Sequence, residues 1–168
     1  VLSPTLGSAM AMLEYVGGQM STKKPAGWHY DSQADSDMFV QQYGEAAMEI
    51  DSAWLHIERA AGMLDVQAQQ RVLAGYDKAQ IQADCGYAMQ LLRRAGERLM
   101  DIAGPSGFAD NNPLQRHWRD LSFASRHTAL HSRLSTELYG RARLGRPSNL
   151  MLLDSIAPQP AGYRVPNI

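Results

Sequence analysis

The residues best suited to chemistry lie in one stretch of the chain, residues 112–145. His127 and His131 are four positions apart, and Asp120 precedes them. An Asn-Pro pair opens the stretch and no further Gly or Pro occurs before Gly140, a pattern that predicts one long helix. At helical spacing, His127 falls on one face with Asp120 at its edge, and polar groups on an apolar face mark a candidate site. The apolar members of this face are Phe123, Ala124, Leu130, Leu134 and Leu138.

A metal site is the first chemistry to consider for a histidine pair. His127 and His131 share a helix face, but Thr-Ala-Leu lies between them, so the glutamate of a zinc-protease helix is missing. A di-iron bundle needs Glu-x-x-His on two helices, and the sequence contains none. We therefore predict no metal site. Spacing alone leaves open whether His127 is functional or a hydrogen-bonded core residue.

Three other features carry weaker signals. Cys85 falls within an apolar helical stripe, where a thiol is usually an inert core residue. The loop 103–108, AGPSGF, places two glycines beside a serine and can approach a flat or anionic ligand, although a plain helix connection has the same composition. Lys23 and Lys24 can meet an anion or form a solvated pair.

Hydrophobic periodicity predicts four helices that would position these residues. They run from about Pro4 to Met20, from about Asp35 to Leu64, from Val66 or Gln69 to Ala103, and over 112–145. The fold class that follows is all-α, an antiparallel four-helix bundle. We expect the bundle domain to occupy residues 1–147 and a Pro-rich C-terminal arm to occupy 148–168. The stripes of the second and third helices comprise Phe39, Tyr43, Ala46, Ile50, Ala53, Ile57, Ala60 and Leu64, and Ile81, Cys85, Ala88, Leu92, Ala95, Leu99 and Ile102.

Length and composition bound the rest. The chain has 168 residues, a formal charge of −1 and no apolar run that could span a bilayer, so we expect one domain without a nucleic-acid or membrane partner. A single cysteine forms no internal disulfide, which fits a cytoplasmic location. The chain begins at Val1 rather than Met, and we expect it to be a fragment of a longer protein. Long apolar stripes predict a homo-oligomer, with a tetramer favoured.

The segment IAGPSGFADNNPLQRHWRDLSFASRH resembles the last part of the acyl-CoA dehydrogenase superfamily, where a Gly-rich loop precedes a Pro and an Arg-Asp pair on the final helix. The helix order and the run Leu138–Arg141 (LYGR) match its C-terminal domain across nearly all of the chain. Common acyl-CoA dehydrogenases carry Tyr-Glu-Gly seven to nine positions after the Asp. Counting from Asp120 gives His-Thr-Ala, so that glutamate is absent. A histidine in Arg-Asp-x6-His resembles instead the branch of two-component flavin-dependent monooxygenases, which includes hydroxylases of phenols, of steroid-derived catechol precursors and of polyketides.

The resemblance implies a concrete chemistry. A separate flavin reductase would supply reduced FMN or FAD, which reacts with O2 to give a C4a-hydroperoxyflavin that hydroxylates an aromatic or polycyclic small molecule. His127 would be the catalytic residue near the flavin ring. Gly104, Ser106 and Gly107 would lie against the flavin, in this or a neighbouring subunit. A histidine has an unperturbed pKa near neutrality and can therefore donate or accept a proton in such a step.

Two alternatives remain. The N-terminal helical domain and central β-domain of the superfamily are absent from this chain, so the enzymatic reading applies to the whole protein, and we expect the isolated fragment to be inactive. The chain could also be an ordinary acyl-CoA dehydrogenase-like domain, or a non-catalytic oligomerisation bundle.

Overall fold

In a computed structural model that describes residues 1–151 and Leu153, the chain forms five long helices. They are α1 (Leu2–Met20), α2 (Asp37–Gly62), α3 (Gly75–Ala103), α4 (Pro113–Ala124) and α5 (Ser132–Arg143). Short helical turns lie at Gln33–Asp35, Met63–Gln67, Ala68–Gln70, Pro105–Phe108 and Thr128–Leu130. No strand occurs among the described residues. The all-α fold class is therefore confirmed.

The two central helices, α2 and α3, are antiparallel. Glu49 of α2 pairs with Arg94 of α3 at 2.8 Å, whereas His56, two turns further along α2, pairs with Asp84, which precedes Arg94. Since the residue numbers of the partners on α3 decrease as those on α2 increase, the two helices run in opposite directions. The fourth position of the bundle is shared, because α4 packs on α1 and α3 while α5 packs on α3.

Periodicity identified most of the core correctly. In the predicted stripe of α2, alanines and one isoleucine are buried, and in that of α3 the second half is fully buried. The largest side chains that are almost completely buried are Met12, Met89, Leu92, Leu99, Ile102, Leu114, Leu121 and Leu138. The exception in α2 is Leu64, which is 51% exposed because it lies in the π-helical turn beyond the end of the helix.

The prediction of one continuous helix over residues 112–145 is wrong. The start is as expected, since the Asn112 side chain accepts a hydrogen bond from the Leu114 N–H at 3.0 Å and a proline follows. The chain then leaves the helix after Ala124, where the Ser125 hydroxyl donates to the Ser122 carbonyl and competes with the regular pattern. A change of direction is needed because α4 packs mainly on α1, whereas α5 packs on α3. As a result, Phe123 is 82% exposed rather than part of a continuous apolar face.

The predicted start of the third helix is also wrong, and lies too early. Arg71 is extended and α3 begins only at Gly75. The local cause is Asp77, which accepts a hydrogen bond from the Ala74 N–H at 3.0 Å and pairs with Arg71 at 2.5 Å. An acidic side chain in the first turn satisfies a free N–H group and is favoured by the helix dipole.

Only the first residues of the predicted C-terminal arm are described. Leu153 is buried against Tyr76 and Leu138, beside Ala142. Leu152 and residues 154–168 lie outside the described residues, so the prediction of an arm stays untested over most of its length. None of the described helices combines the length and apolar character that crossing a bilayer requires.

Candidate functional site

His127 lies at the start of the short turn between α4 and α5. The Nδ1 atom of its ring accepts a hydrogen bond from the Ala129 backbone N–H at 3.2 Å, and the side chain is exposed. The prediction that His127 lies on an apolar helix face is therefore wrong, and so is the alternative of a buried core histidine. Because Nδ1 accepts, the neutral ring carries its proton on Nε2 and presents a donor there.

A cavity of about 640 Å³ adjoins this turn. Its volume falls within the range of about 300–1,000 Å³ that is typical of small-molecule pockets. The apolar lining residues are Ala129, Leu134, Leu138, Leu150 and Met151, and the polar ones are Gln82, His127, Thr128, Ser135 and Asn149. An apolar enclosure with a few polar groups suits a planar hydrophobic ligand that carries one or two hydrogen-bonding groups.

The loop that follows α3 has a backbone that requires glycine at its first position. Gly104 has φ +63° and ψ −164°, a region that L side chains rarely adopt. The buried position 107 requires glycine for a different reason, because a Cβ there would lie 3.0 Å from the Ala103 Cβ and 3.4 Å from a methyl group of Leu114. Both glycines that the sequence indicated therefore have structural roles in a tight turn between α3 and α4.

Ser106 is held within this loop rather than presented freely. Its hydroxyl donates to the Ala103 carbonyl at 3.1 Å and accepts a hydrogen bond from the Lys23 ammonium at 3.0 Å. The Ser106 carbonyl accepts from the Asn112 side chain at 2.9 Å. Its hydroxyl retains one acceptor position for a ligand.

Lys23 lies at the C-terminal end of α3, so the prediction of a fully solvated lysine pair is wrong for this residue. Its ammonium also donates to the Ala103 carbonyl, and Gln33 donates to the Ile102 carbonyl at 2.7 Å. These carbonyls have no partner within the helix, and a cation at this end is favoured by the helix dipole. Partial burial lowers the pKa of Lys23. Sequence reasoning missed Gln33, which carries no motif.

One chain places His127 and the Gly104 loop far apart. Gln82 lines the cavity beside His127, whereas Gly104 follows the last residue of the same helix. At about 1.5 Å per helical residue, these two positions on α3 are roughly 30 Å apart. The loop and the histidine of a single chain therefore cannot contact the same ring of a bound cofactor.

Other candidates contribute little within the described residues. Arg119 and Asp120 are exposed, and neither forms an ion pair with another helix in this part of the chain. Cys85 is half-buried, and burial, together with the charge of Asp84, raises the pKa of its thiol, which makes it a poor nucleophile. Nowhere in residues 1–151 do three or more His, Cys, Asp or Glu side chains converge as a metal site requires.

The family model described as the acyl-CoA dehydrogenase, C-terminal domain, matches residues 2–132. The chain belongs to this family. The resemblance that the Arg-Asp pair and the Gly-rich loop indicated is thus confirmed at the level of the family.

Several known proteins resemble this acyl-CoA dehydrogenase C-terminal domain. XiaF from Streptomyces sp., solved in complex with FADH2 and glycerol, is 35% identical with a TM-score of 0.84, over 87% of this chain and 37% of XiaF. The oxygenase component of the FADH2-dependent resorcinol hydroxylase from Rhizobium sp. is 24% identical over 83% of this chain and 35% of that protein. The HsaA monooxygenase from M. tuberculosis shares the fold, with 21% identity and a TM-score of 0.75. The match covers 89% of this chain and 38% of the HsaA chain.

The chain spans little more than a third of the length of these relatives. The acyl-CoA dehydrogenase C-terminal domain described above therefore corresponds to only one part of each. Activities named for the relatives belong to the whole proteins.

Proposed function

We propose that this domain belongs to the oxygenase component of a two-component flavin-dependent monooxygenase that hydroxylates an aromatic or polycyclic small molecule. The observation that carries the proposal is the 35% identity and close structural match to XiaF, whose structure contains FADH2. The absence of the acyl-CoA dehydrogenase glutamate, with His127 in its place, favours this function over the dehydrogenase alternative.

The residues of the chain fit a reduced flavin, FMN or FAD, in two places. The cavity beside His127 is apolar with a hydrogen-bond donor at its edge, and the loop at Gly104 offers a close backbone approach with Lys23 beside it. Since one chain holds these places about 30 Å apart, we propose that they serve flavins in different subunits. This arrangement requires a homo-oligomer, and a tetramer is the proposed form.

His127 is the proposed catalytic residue. When bound, the reduced flavin supplies the electrons that activate O2 for hydroxylation. The chain contributes a directed donor, because the Ala129 N–H occupies Nδ1 of His127 and leaves the proton on Nε2. The apolar lining at Leu134 and Leu138 would exclude water from the reacting atoms once a ligand covers it, and would limit unproductive loss of oxidising equivalents.

A flavin reductase is the proposed partner, since the resorcinol hydroxylase relative is an oxygenase component and the resemblance implies a separate supplier of reduced flavin. The proposed location is the cytoplasm, because Cys85 has no partner for an internal disulfide in a chain with a single cysteine. The proposed organisation is a bundle domain over residues 1–147 followed by an arm over 148–168, within a longer protein.

The test is His127→Asn in the full-length protein, with His131→Asn as the matched control, because His131 is also exposed but does not line the cavity. The protein is loaded with chemically reduced FMN or FADH2, mixed with O2, and assayed for H2O2 release and for hydroxylation of resorcinol and naphthols. We expect His127→Asn to lower hydroxylation by about 10- to 1,000-fold, the range for a lost proton-transfer or charge-stabilising group, and to accelerate H2O2 release. His131→Asn should change neither.

An oligomerisation bundle without catalytic function gives the opposite result. Both variants would then behave like the wild type, and neither would alter H2O2 release. Failure of the wild-type protein to retain reduced flavin would exclude the proposed function outright.

A further inference from the structure

We propose that Gln82 of α3 is a positioning residue that holds the turn carrying His127 and thereby fixes the ring tautomer of this histidine. The side-chain amide of Gln82 donates to the Ala129 carbonyl and to the Ser135 hydroxyl, the latter at 3.1 Å. Ala129 is also the residue whose N–H binds Nδ1 of His127. Ala129 therefore links α3 to the proposed catalytic ring, because its carbonyl binds Gln82 and its N–H binds His127. This inference rests on the proposed function for its consequence, but not for its geometry.

Among the described residues, Gln82 is the only one on another helix whose side chain hydrogen bonds to the turn Thr128–Leu130. Besides the bond from the Ala129 N–H to the His127 ring, the turn has two backbone hydrogen bonds, from the Leu130 N–H to the His127 carbonyl at 2.9 Å and from the His131 N–H to the Thr128 carbonyl at 3.2 Å. One turn of 3₁₀ helix with two local bonds is weakly determined by itself. The contact with α3, together with the packing of Leu130 against the core, therefore determines where Ala129 lies.

The position of Gln82 relative to the turn is fixed by the packing of α5 on α3. Gly86, one helical turn beyond Gln82, allows this approach, because a Cβ at Gly86 would lie 2.5 Å from the Ser135 side chain and 3.3 Å from the Ser132 Cα. Ser135 itself is 2% exposed. Gln82 thus acts from a rigid surface onto a turn that has little rigidity of its own, which is the arrangement that a precisely directed side chain requires.

The expected consequence concerns which nitrogen of the ring carries the proton. With Ala129 held, Nδ1 accepts from its N–H and the proton remains on Nε2. Without Gln82, the turn can move and the Nδ1 contact is lost for part of the time, so both tautomers are populated. A donor that is present in only part of the molecules would stabilise the proposed reaction less well.

The experiment uses Gln82→Met, which has a similar length but no donor, and Gln82→Glu, which keeps the shape but faces the Ala129 carbonyl with an acceptor. The control is Gln90→Met, because Gln90 lies half-buried on the same helix and forms no side-chain hydrogen bond among the described residues. In the 168-residue chain labelled with ¹⁵N at histidine, NMR of the ring nitrogens at alkaline pH reports the tautomer of His127. Thermal unfolding is recorded for each variant.

We expect the Nε2–H tautomer to dominate in the wild type and in Gln90→Met, and to fall to a mixture in both Gln82 variants. In the full-length protein, the ratio of hydroxylated product to H2O2 should fall by about 3- to 30-fold in Gln82→Met, less than for loss of the histidine itself. A His127 tautomer that is unchanged in folded Gln82→Met and Gln82→Glu proteins would overturn the positioning role. A changed tautomer with unchanged product yield would support that role and overturn instead the catalytic role proposed for His127.

Discussion

Among single residues, Asp84 has the strongest electrostatic surroundings. Its carboxylate is 3% exposed and accepts hydrogen bonds from His56 at 2.7 Å and from Arg59 Nε at 2.8 Å. Burial alone would raise the pKa of Asp84, but the hydrogen bonds and charges of His56 and Arg59 outweigh it, so that the pKa is lowered. The ionised form is therefore favoured in the folded state.

Because the pKa of Asp84 is lowered in the folded state, the stability of the protein depends on pH. A carboxyl group whose pKa is lower in the folded than in the unfolded state contributes stability above its unfolded pKa, and this contribution is lost as pH falls through the folded pKa. We expect Asp84→Asn to lower the free energy of unfolding at pH 7 by about 2–3 kcal/mol, because it removes the buried carboxylate that accepts hydrogen bonds from His56 and Arg59. The difference in unfolding free energy between Asp84→Asn and the wild type should become smaller below about pH 4.

Urea unfolding monitored by circular dichroism between pH 3 and pH 8 measures this difference. Asp101→Asn is the control, since Asp101 lies exposed on the same helix. Equal stability losses for Asp84→Asn at pH 3 and pH 7 would contradict the assignment of its effect to charge.

Two glycine substitutions should change the free energy of unfolding in opposite directions. Gly104 has a positive φ, and we expect Gly104→Ala to cost about 1–3 kcal/mol of unfolding free energy although an added Cβ meets no atom within 4 Å. Gly44 lies within α2, and an added Cβ there also meets nothing. Gly44→Ala should therefore stabilise the protein by about 0.5–1 kcal/mol through helix propensity. Thermal unfolding of both variants decides, and two losses of similar size would contradict the backbone explanation.

At the scale of the helices, sequence reasoning succeeded where one helix has one apolar face. The stripe from Ala88 to Ile102 is buried as predicted, because α3 is central and its face contacts several neighbours along its length. It failed between Ala124 and Ser132. No Gly or Pro marks this break, and the cause is tertiary, since α4 packs mainly on α1 and α5 packs on α3. A local pattern cannot report a choice of packing partner.

The same reasoning explains what was found of the candidate site. His127 and the loop glycines could be chosen from residue type and motif, because their chemistry and backbone freedom are properties of the residues themselves. Gln82 and Gln33 could not, since a glutamine on a helix acquires a role only from the backbone carbonyl that it meets. Both contacts join residues more than 45 positions apart in the chain.

The contact between α3 and α5 gives a prediction for these elements. Gly86→Ala would place a methyl group 2.5 Å from the side-chain atoms of Ser135, and 3.3 Å from the backbone at Ser132, so α5 must shift. We expect a loss of about 1–3 kcal/mol in unfolding free energy, typical of an overpacked contact. Gly18→Ala in α1 is the control, because an added Cβ there meets nothing. A Gly86→Ala protein as stable as Gly18→Ala would show that α5 does not approach α3 this closely.

At the scale of the whole molecule, α2 leaves an apolar surface uncovered. Met48 is 64% exposed and Leu55 is 63% exposed, and their spacing of seven places them on one side of the helix, opposite the buried face at Ile50 and Ala53. Charged residues of both signs lie beside Met48, with Glu45 paired to Arg98 and Glu49 to Arg94. An apolar strip with a polar border is typical of a surface that associates.

We therefore expect the chain to form a homo-oligomer through α2, as the proposed sharing of flavin sites between subunits also requires. The double variant Met48→Lys with Leu55→Lys places two like charges within the strip, and in a symmetric contact they would face one another or lose their hydration. The mass measured by light scattering at micromolar concentration should fall from that of a dimer or tetramer toward the monomer mass of 18.6 kDa. Met10→Lys is the matched control, since Met10 is 51% exposed on α1 and its charge should leave the mass unchanged. A wild-type chain that is monomeric under these conditions, or a double variant that keeps its full mass, would show that α2 is not the surface of association, and the flavin sites would then have to be completed by another face of the bundle.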